Sequence, residues 1–242
     1  MLKITDTQIF GFKAALRDMR NPMESWDKSD TVYRGTAYDG MVTYTHVQAP
    51  EGPIIGPNDM KLMKKLMKGG SEHRKFLRCI EVWCVIYPSR DVWQEIDTYK
   101  VSTVRNSCST MHKLGHRELT EEDFRFIPPP ERYGGRIFAL YRKAIQAILE
   151  FENAAGSLYR SNKDYDLVRS MKKLLPEGYI QRAGYHLNYE NCLSMFMQRR
   201  NHRLSEWRFD PEANEGEMTS ICNWIYGLPY MADLIDSLLC EK

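Results

Sequence analysis

The feature that most constrains the fold is the run from Leu77 to Tyr87, which reads LRCIEVWCVIY. Apart from Glu81 the run is apolar on both faces, the pattern expected of a strand in the middle of a sheet. Pro88 ends it, because proline has no backbone N–H to donate to a neighbouring strand. Ser89 is then a suitable N-cap for a short helix. We therefore predict a central strand that is followed directly by a helix.

Strand patterns come early in the chain and helical patterns come late. Residues 3–12 suggest an edge strand, and residues 32–47 alternate loosely enough to predict a second strand region. A helix is predicted at 58–68, with Asn58 as its N-cap and a stripe of Met and Leu side chains facing the core. Later helices are predicted at 137–152, 165–175, 188–200 and 223–239.

The segment 97–112, DTYKVSTVRNSCSTMH, is rich in Ser, Thr and Asn and has no clear periodicity. We interpret it as a long polar loop, which inside a compact domain is usually functional. Strands early and helices late favour an α+β protein over a doubly wound sheet. The prediction is a single domain spanning residues 1–242 with an antiparallel or mixed sheet. It is strand-rich over 1–110 and mainly helical over 111–242.

Composition excludes several classes of protein. The chain has 242 residues and a formal net charge of +2, which gives no global field for nucleic acid. No segment approaches the roughly 20 apolar residues of a membrane span, and the N-terminus lacks the apolar run of a signal peptide. The six cysteines are scattered without zinc-site spacing, so we expect no metal site. A reducing cytoplasm is the expected location.

The familiar catalytic motifs are missing from the sequence. There is no GxGxxG, no GxxxxGK[ST], no HExxH and no GxSxG. Cys108 followed by His112 raises the alternative of a thiol nucleophile with its base. We rank it below an ordinary loop, because neighbours in sequence on a loop seldom hold that geometry.

Three stretches carry a pattern of structural elements and polar residues in a fixed order along the chain. The first contains a helix, a buried strand, Pro88, a short helix with Gln94, and then a serine-containing segment at Ser107. The second is LPEGYIQRAGYHLN, which contains Arg182 and Asn188, and the third is LSMFMQRRNHRLSE.

Taken together, from about residue 58 to residue 206, these stretches resemble the flavin-dependent thymidylate synthases. In the resemblance, Arg182 and Asn188 fall on a phosphate arginine and an asparagine near the flavin. The third stretch resembles a helix that ends in a substrate arginine and a His-Ala-Gln-x-Glu tail. Arg200 is the best match for that arginine, and Arg199 is the fallback.

Several positions depart from the family pattern. The Arg-His-Arg triplet that grips the flavin in the family is Asp97-Thr98-Tyr99 here. The family's flavin-contacting histidine falls on Arg78. Cys108 and Ser109 replace the Gly and Arg that follow the family's serine. The substrate side therefore matches better than the flavin side.

The resemblance implies a set of binding residues and no catalytic side chain. A nucleotide phosphate suits arginine, whose planar guanidinium donates paired hydrogen bonds. The implied substrate-binding residues are Gln94, Arg105, Ser107, Ser109, Arg182, Arg199 and Arg200. The implied flavin-binding residues are Arg78, Thr98, Tyr99, Lys100, Asn188 and His202. Tyr99 and Tyr185 are also candidates for stacking on a flavin or adenine ring, although such tyrosines are more often packing residues.

The function implied by the resemblance is conversion of dUMP to dTMP. The expected cofactor is FAD, with methylenetetrahydrofolate and NADPH as co-substrates, and the expected assembly is a homotetramer. Three alternatives stay open. One is another pyrimidine or one-carbon reaction on the same fold, and another is nucleotide binding without catalysis. The last, nucleic-acid binding through the basic cluster RRNHR at 199–203, ranks lowest because the chain is almost neutral.

Overall fold

Four strands form one sheet in the computed structural model, which describes residues 2–33, 53–213 and 219–240. The strands are β1 (Ile4–Phe10), β2 (Glu81–Ile86), β3 (Val104–Ser107) and β4 (Ala183–Asn188). Their order in the sheet is β1-β2-β4-β3, and β1 pairs with β2 antiparallel. The predicted edge strand and the predicted central strand are therefore confirmed, and the fold is α+β with an antiparallel sheet.

Nine α-helices occur in the described ranges. They are α1 (Phe12–Asp18), α2 (Pro57–Lys68), α3 (Arg90–Ile96), α4 (Thr110–Lys113), α5 (Gly135–Asn162), α6 (Tyr165–Leu174), α7 (Tyr189–Arg199), α8 (Ile221–Tyr226) and α9 (Met231–Leu239). Short 3-10 turns lie at Asn21–Met23, Trp26–Lys28, Lys75–Cys79, Glu121–Asp123 and Glu131–Tyr133. None of these helices is long and apolar enough to cross a membrane.

The chain divides into two compact units. Unit 1 comprises Met1–Ile86, Tyr99–Arg105 and Gly184–Lys242, and unit 2 comprises Tyr87–Thr98 and Asn106–Ala183. The prediction of a single domain stays a prediction.

The segment 97–112 was predicted as a loop, and the structure corrects this prediction. It contains β3 and the first three residues of α4, a helix capped by Ser109, whose Oγ accepts the backbone N–H of His112. Three of the four residues of β3 are exposed and the fourth is half-buried. A strand without a buried face shows no hydrophobic alternation, which is why the pattern did not predict it.

Other boundaries also differ from the predictions. The predicted strand 77–87 begins only at Glu81, because residues Lys75–Cys79 form a 3-10 turn. The predicted helix 223–239 is two helices, separated at Gly227–Tyr230, where Tyr230 has a φ of 61°. The predicted second strand region, 32–47, lies mostly outside the described residues; Val32 forms a single bridge with Ile54.

In unit 1, the face of β2 that carries Trp83 is open. Trp83 is 42% exposed and Phe10 is 45% exposed, although β2 was predicted to be buried on both faces. The Trp83 ring stacks on His186 at 4.6 Å between ring centres, and His186 Nε2 lies 2.6 Å from Glu81 Oε2. The opposite face supplies Val82, Cys84 and Ile86 to the core.

Helix α2 of unit 1 begins on a buried polar network. The predicted N-cap, Asn58, is wrong, because the N-cap of α2 is Gly56. Asp30 Oδ2 and Oδ1 accept the backbone N–H groups of Asn58 and Asp59, so a distant aspartate performs the capping. A Cβ atom at Gly56 would lie 2.2 Å from Asp30 Cγ, so this position requires glycine. The predicted core stripe is confirmed at Met63 and Met67, which are buried.

Unit 2 has its own hydrophobic core beneath the long helix α5. The buried residues of this core are Leu114, Leu119, Phe124, Ala155, Met171 and Leu175. Helix α6 packs along α5, and it begins at Asp164, whose side chain accepts the backbone N–H of Asp166. The core therefore joins two helices to the irregular segment that precedes α5.

Candidate functional site

The segment that organises unit 2 near the predicted substrate residues is centred on Gln181. Its backbone N–H donates to the Pro88 carbonyl at 2.9 Å, and its own carbonyl accepts Trp93 Nε1–H at 2.7 Å. Its side-chain Nε2 donates to the Cys108 carbonyl at 2.8 Å. Gln181 therefore connects the start of α3 to the segment 107–109.

Arg182 and the serine segment are held side by side by the backbone. The Cys108 N–H donates to the Arg182 carbonyl at 2.9 Å, directly after the end of β3. The Arg182 side chain is exposed, and its guanidinium carbon lies 5.7 Å from the centre of the Tyr87 ring. Within the described ranges it has no hydrogen bond or ion pair. The side chain of Ser107 is also exposed.

Two other predicted substrate residues of unit 2 have local partners. Gln94 Nε2 donates to Glu177 Oε2 at 3.1 Å on the surface. Ser109 caps α4, so its hydroxyl already accepts one backbone N–H. The structure thus groups Ser107, Ser109 and Arg182 by backbone contact and places Gln94 on the exposed side of α3.

In unit 1, Arg199 lies at the centre of a group of aromatic and polar side chains. Its Nε donates to the Tyr99 hydroxyl at 3.2 Å, and its Nη1 lies 3.0 Å from His202 Nε2. The guanidinium carbon is 5.1 Å from the ring centre of Trp207, which is fully buried. Tyr99 also donates to Gln198 Oε1 at 3.1 Å.

These contacts distinguish Arg199 from Arg200 as candidates for binding an anion. Arg199 is committed to three internal partners, so binding a phosphate would compete with them. Arg200 is the C-cap residue of α7 and is half-buried, and its guanidinium has no hydrogen bond or ion pair with the described residues. Arg200 is therefore the better of the two predicted arginines for an anion. Arg105 is half-buried on β3.

Several of the predicted flavin residues already have hydrogen-bond partners within the fold. Asn188 forms a capping box with Asn191 at the start of α7, and Thr98 Oγ1 donates to the Glu95 carbonyl at 2.7 Å. Tyr99 and His202 are bound to Arg199. Arg78 and Lys100 are exposed. Four of the six residues thus have a structural role.

Sequence reasoning missed two residues that shape these groups, Gln181 and Trp207. Gln181 lies within the stretch LPEGYIQRAGYHLN, but one glutamine beside an arginine has no distinguishing pattern. Trp207 follows the Glu206 of the third stretch, and its burial depends on contacts that spacing does not reveal. Among the described residues, the Nε1–H of Trp207 has no hydrogen-bond partner.

The described residues hold no group of three or more His, Cys, Asp or Glu side chains placed to bind a metal ion. Cys108 is exposed, whereas burial raises the pKa of Cys84 to about 12. Burial likewise raises the pKa of the Cys222 thiol to about 12, although the positive charge of Arg199 acts in the opposite direction. Thiolate chemistry at Cys84 and Cys222 is therefore disfavoured.

Comparisons with known proteins give a likeness of structure and none of sequence. No protein-family model matches the chain, and no curated protein matches it. A crystal structure of thymidylate synthase X (ThyX) from Helicobacter pylori with FAD and dUMP superposes with a TM-score of 0.60 and 16% identity, over 98% of this chain and 99% of that one. A second structure of the flavin-dependent thymidylate synthase ThyX from Helicobacter pylori, complexed with FAD and dUMP, gives 0.55 and 16%, over 99% and 93%. The chain therefore has the fold of the flavin-dependent thymidylate synthases.

Proposed function

We propose that this chain binds a pyrimidine nucleoside monophosphate, with dUMP as the leading candidate. The observation that carries the proposal is the exposed guanidinium of Arg182, which has no hydrogen-bond partner within the described ranges and lies on backbone bonded to Cys108. Ser107 and Ser109 flank that contact and supply hydroxyl groups.

The chemistry of these residues suits a phosphate better than a neutral ligand. A guanidinium keeps its charge at every physiological pH and donates two parallel hydrogen bonds to phosphate oxygens. Gln181 holds the Cys108 carbonyl, so the segment beside Arg182 is ordered before a ligand arrives. Preorganisation of this kind lowers the entropy cost of binding.

We extend the proposal to conversion of dUMP to dTMP with methylenetetrahydrofolate, FAD and NADPH, in a homotetramer. The support is the shared fold with proteins crystallised with FAD and dUMP, together with the order of the three resembling stretches. In this role the protein binds and orients the reactants, and the cofactor carries the chemistry. No nucleophilic side chain is required of the protein.

The residues at the expected flavin positions fit FAD poorly. Tyr99 and His202 both bind Arg199, and Asn188 is used as a helix cap. An isoalloxazine or diphosphate at these positions would have to displace those contacts. This observation favours a second candidate function, nucleotide binding with altered pyrimidine chemistry or without catalysis.

Replacing Arg182 with alanine should weaken dUMP binding by about 10- to 100-fold. A hydrogen bond to a charged group contributes about 1.5–3 kcal/mol, and a factor of ten corresponds to about 1.4 kcal/mol. Isothermal titration calorimetry at fixed salt measures the change. Arg169→Ala is the matched control, because Arg169 is an exposed arginine of the same unit that pairs with Asp166. Equal affinities of the Arg182→Ala variant and the wild type would refute the role of Arg182.

A visible absorption spectrum distinguishes the two candidate functions. The protein is measured alone, with added FAD after removal of unbound flavin, and then with dUMP. Retained flavin whose spectrum shifts on adding dUMP supports the synthase. Protein that retains no flavin and still binds dUMP supports the second candidate.

A further inference from the structure

Glu152 is a carboxylic acid enclosed in unit 2. It lies on the inward face of α5, between Ile145 and Ala155, and is 1% exposed. Within the part of the chain that the structure describes, neither carboxylate oxygen has a hydrogen-bond partner. It has no place in the proposed nucleotide site, so it requires a separate explanation.

An unpaired charge in such a position is strongly unfavourable. Moving an ionised carboxylate out of water without a compensating partner costs several kcal/mol, so the group takes up a proton instead. Burial accordingly raises the pKa of Glu152 to about 7. The folded protein therefore holds Glu152 as a neutral acid in mildly acidic solution.

The charged groups around Glu152 do not compensate its charge. Tyr179 interacts electrostatically with Glu152, but burial raises the pKa of the Tyr179 hydroxyl. This hydroxyl is therefore uncharged at neutral pH and supplies no positive charge. Arg117 is held by Asp123, so that pair presents no net charge. Helix α6 contributes Val168 and Met171 to the interior, while its cations Arg169, Lys172 and Lys173 are exposed.

We propose that Glu152 makes unit 2 a pH-responsive element, in which the packing of α5 on α6 opens more often as the pH rises from mildly acidic to neutral. In the closed state the carboxyl group keeps its proton within the core. In an opened state water reaches it, and it ionises as an ordinary glutamate does. Raising the pH within this range therefore increases the population of the open state.

The range and direction follow from proton binding. Between the ordinary glutamate pKa of 4.5 and about 7, the closed state binds more protons than the open state. Stability therefore falls as the pH rises through this range and levels off above it. A tenfold change in the opening equilibrium corresponds to one pKa unit of difference between the two states.

Hydrogen exchange of the full-length protein between about pH 5 and pH 7.5 tests this inference. After correction for the intrinsic exchange rate, amides of α5 and α6 near Ala155 and Met171 should open at least about tenfold more at the higher pH. Amides of α7, in unit 1, serve as the internal reference. The isosteric variant Glu152→Gln should remove the pH dependence in α5 and α6. A wild-type opening equilibrium that does not change with pH, or a variant that keeps the wild-type slope, would overturn the proposal.

A second measurement uses only the wild-type protein, so it does not depend on whether a variant folds. Wild-type protein labelled with 13C at the glutamate carboxyl carbon is titrated by NMR over the same range. One resonance should titrate near neutral pH while the remaining glutamates titrate at ordinary values. If every glutamate titrates below about pH 6, Glu152 is ionised in the closed state and the proposal fails.

Discussion

Replacing Asp59 with alanine should lower the free energy of unfolding by about 3–5 kcal/mol, the usual cost of breaking a buried ion pair. Asp59 is fully buried, and its Oδ1 accepts Arg20 Nε–H at 2.6 Å. Its Oδ2 accepts hydrogen bonds from Ser29 and Thr31 at 2.7 and 2.6 Å. The substitution leaves the Arg20 charge buried without its partner. Chemical denaturation followed by circular dichroism measures the loss.

The matched control is Asp166→Ala, which removes an ion pair whose side chains are 73% and 79% exposed. Exposed pairs contribute about 0–1 kcal/mol, so this variant should be close to wild type in stability. Equal losses in the two variants would show that burial of the Arg20–Asp59 pair is not what makes it important.

The Asp59 contribution should also depend on pH. Burial alone would raise the pKa of Asp59, but hydrogen bonds from Thr31, Ser29 and Arg20 outweigh burial and lower it. A lowered pKa in the folded state stabilises the protein above the ordinary aspartate value of 3.8, and this stabilisation is lost as the pH falls below it. The difference in stability between wild type and Asp59→Ala should therefore shrink in acid.

Replacing Trp93 with alanine should destabilise unit 2 by about 3–5 kcal/mol, as truncation of a large buried aromatic side chain does. Trp93 is buried, and its Nε1–H donates to the Gln181 carbonyl at 2.7 Å. Because Gln181 also holds the Cys108 carbonyl, the same change should weaken dUMP binding. Denaturant unfolding and calorimetry measure the two effects.

Trp93→Phe separates the hydrogen bond from the packing. It keeps most of the ring volume but leaves the Gln181 carbonyl without its donor, which costs about 1–3 kcal/mol. We expect intermediate stability for this variant. If Trp93→Phe is as unstable as Trp93→Ala, the hydrogen bond, rather than the volume of the ring, accounts for the effect.

The sequence predicted those elements whose side chains show a clear pattern of burial. The helix α2 has apolar residues at the helical period, and the strand β2 lies in a continuous apolar run; both lie close to where they were predicted. β3 escaped prediction because its residues have no buried face. The cap of α2 escaped because Asp30 acts from a distant part of the chain. Local sequence patterns reveal which side chains are buried. The pairing of an exposed strand and the capping of a helix by a distant residue depend on how the whole chain folds.

The residues of the candidate site also divide into those that the sequence identifies and those whose contacts form only in the folded chain. Arg182 was chosen by resemblance, and the structure places it on the surface beside the segment 107–109. Arg199 was chosen for the same reason, but it binds Tyr99, which is 100 residues away in sequence. No spacing rule predicts that contact, because it arises only when the chain has folded. The resemblance ranks Arg200 above Arg199, and the structure adds a physical reason, because Arg199 already binds Tyr99 and His202.

Titration calorimetry with dUMP and with deoxyuridine tests whether this chain binds a pyrimidine nucleotide through its phosphate. We expect saturable binding of dUMP and at least about tenfold weaker binding of deoxyuridine, since the guanidinium–phosphate hydrogen bonds are lost. Absence of saturable dUMP binding, or equal affinity for the two ligands, would contradict this expectation.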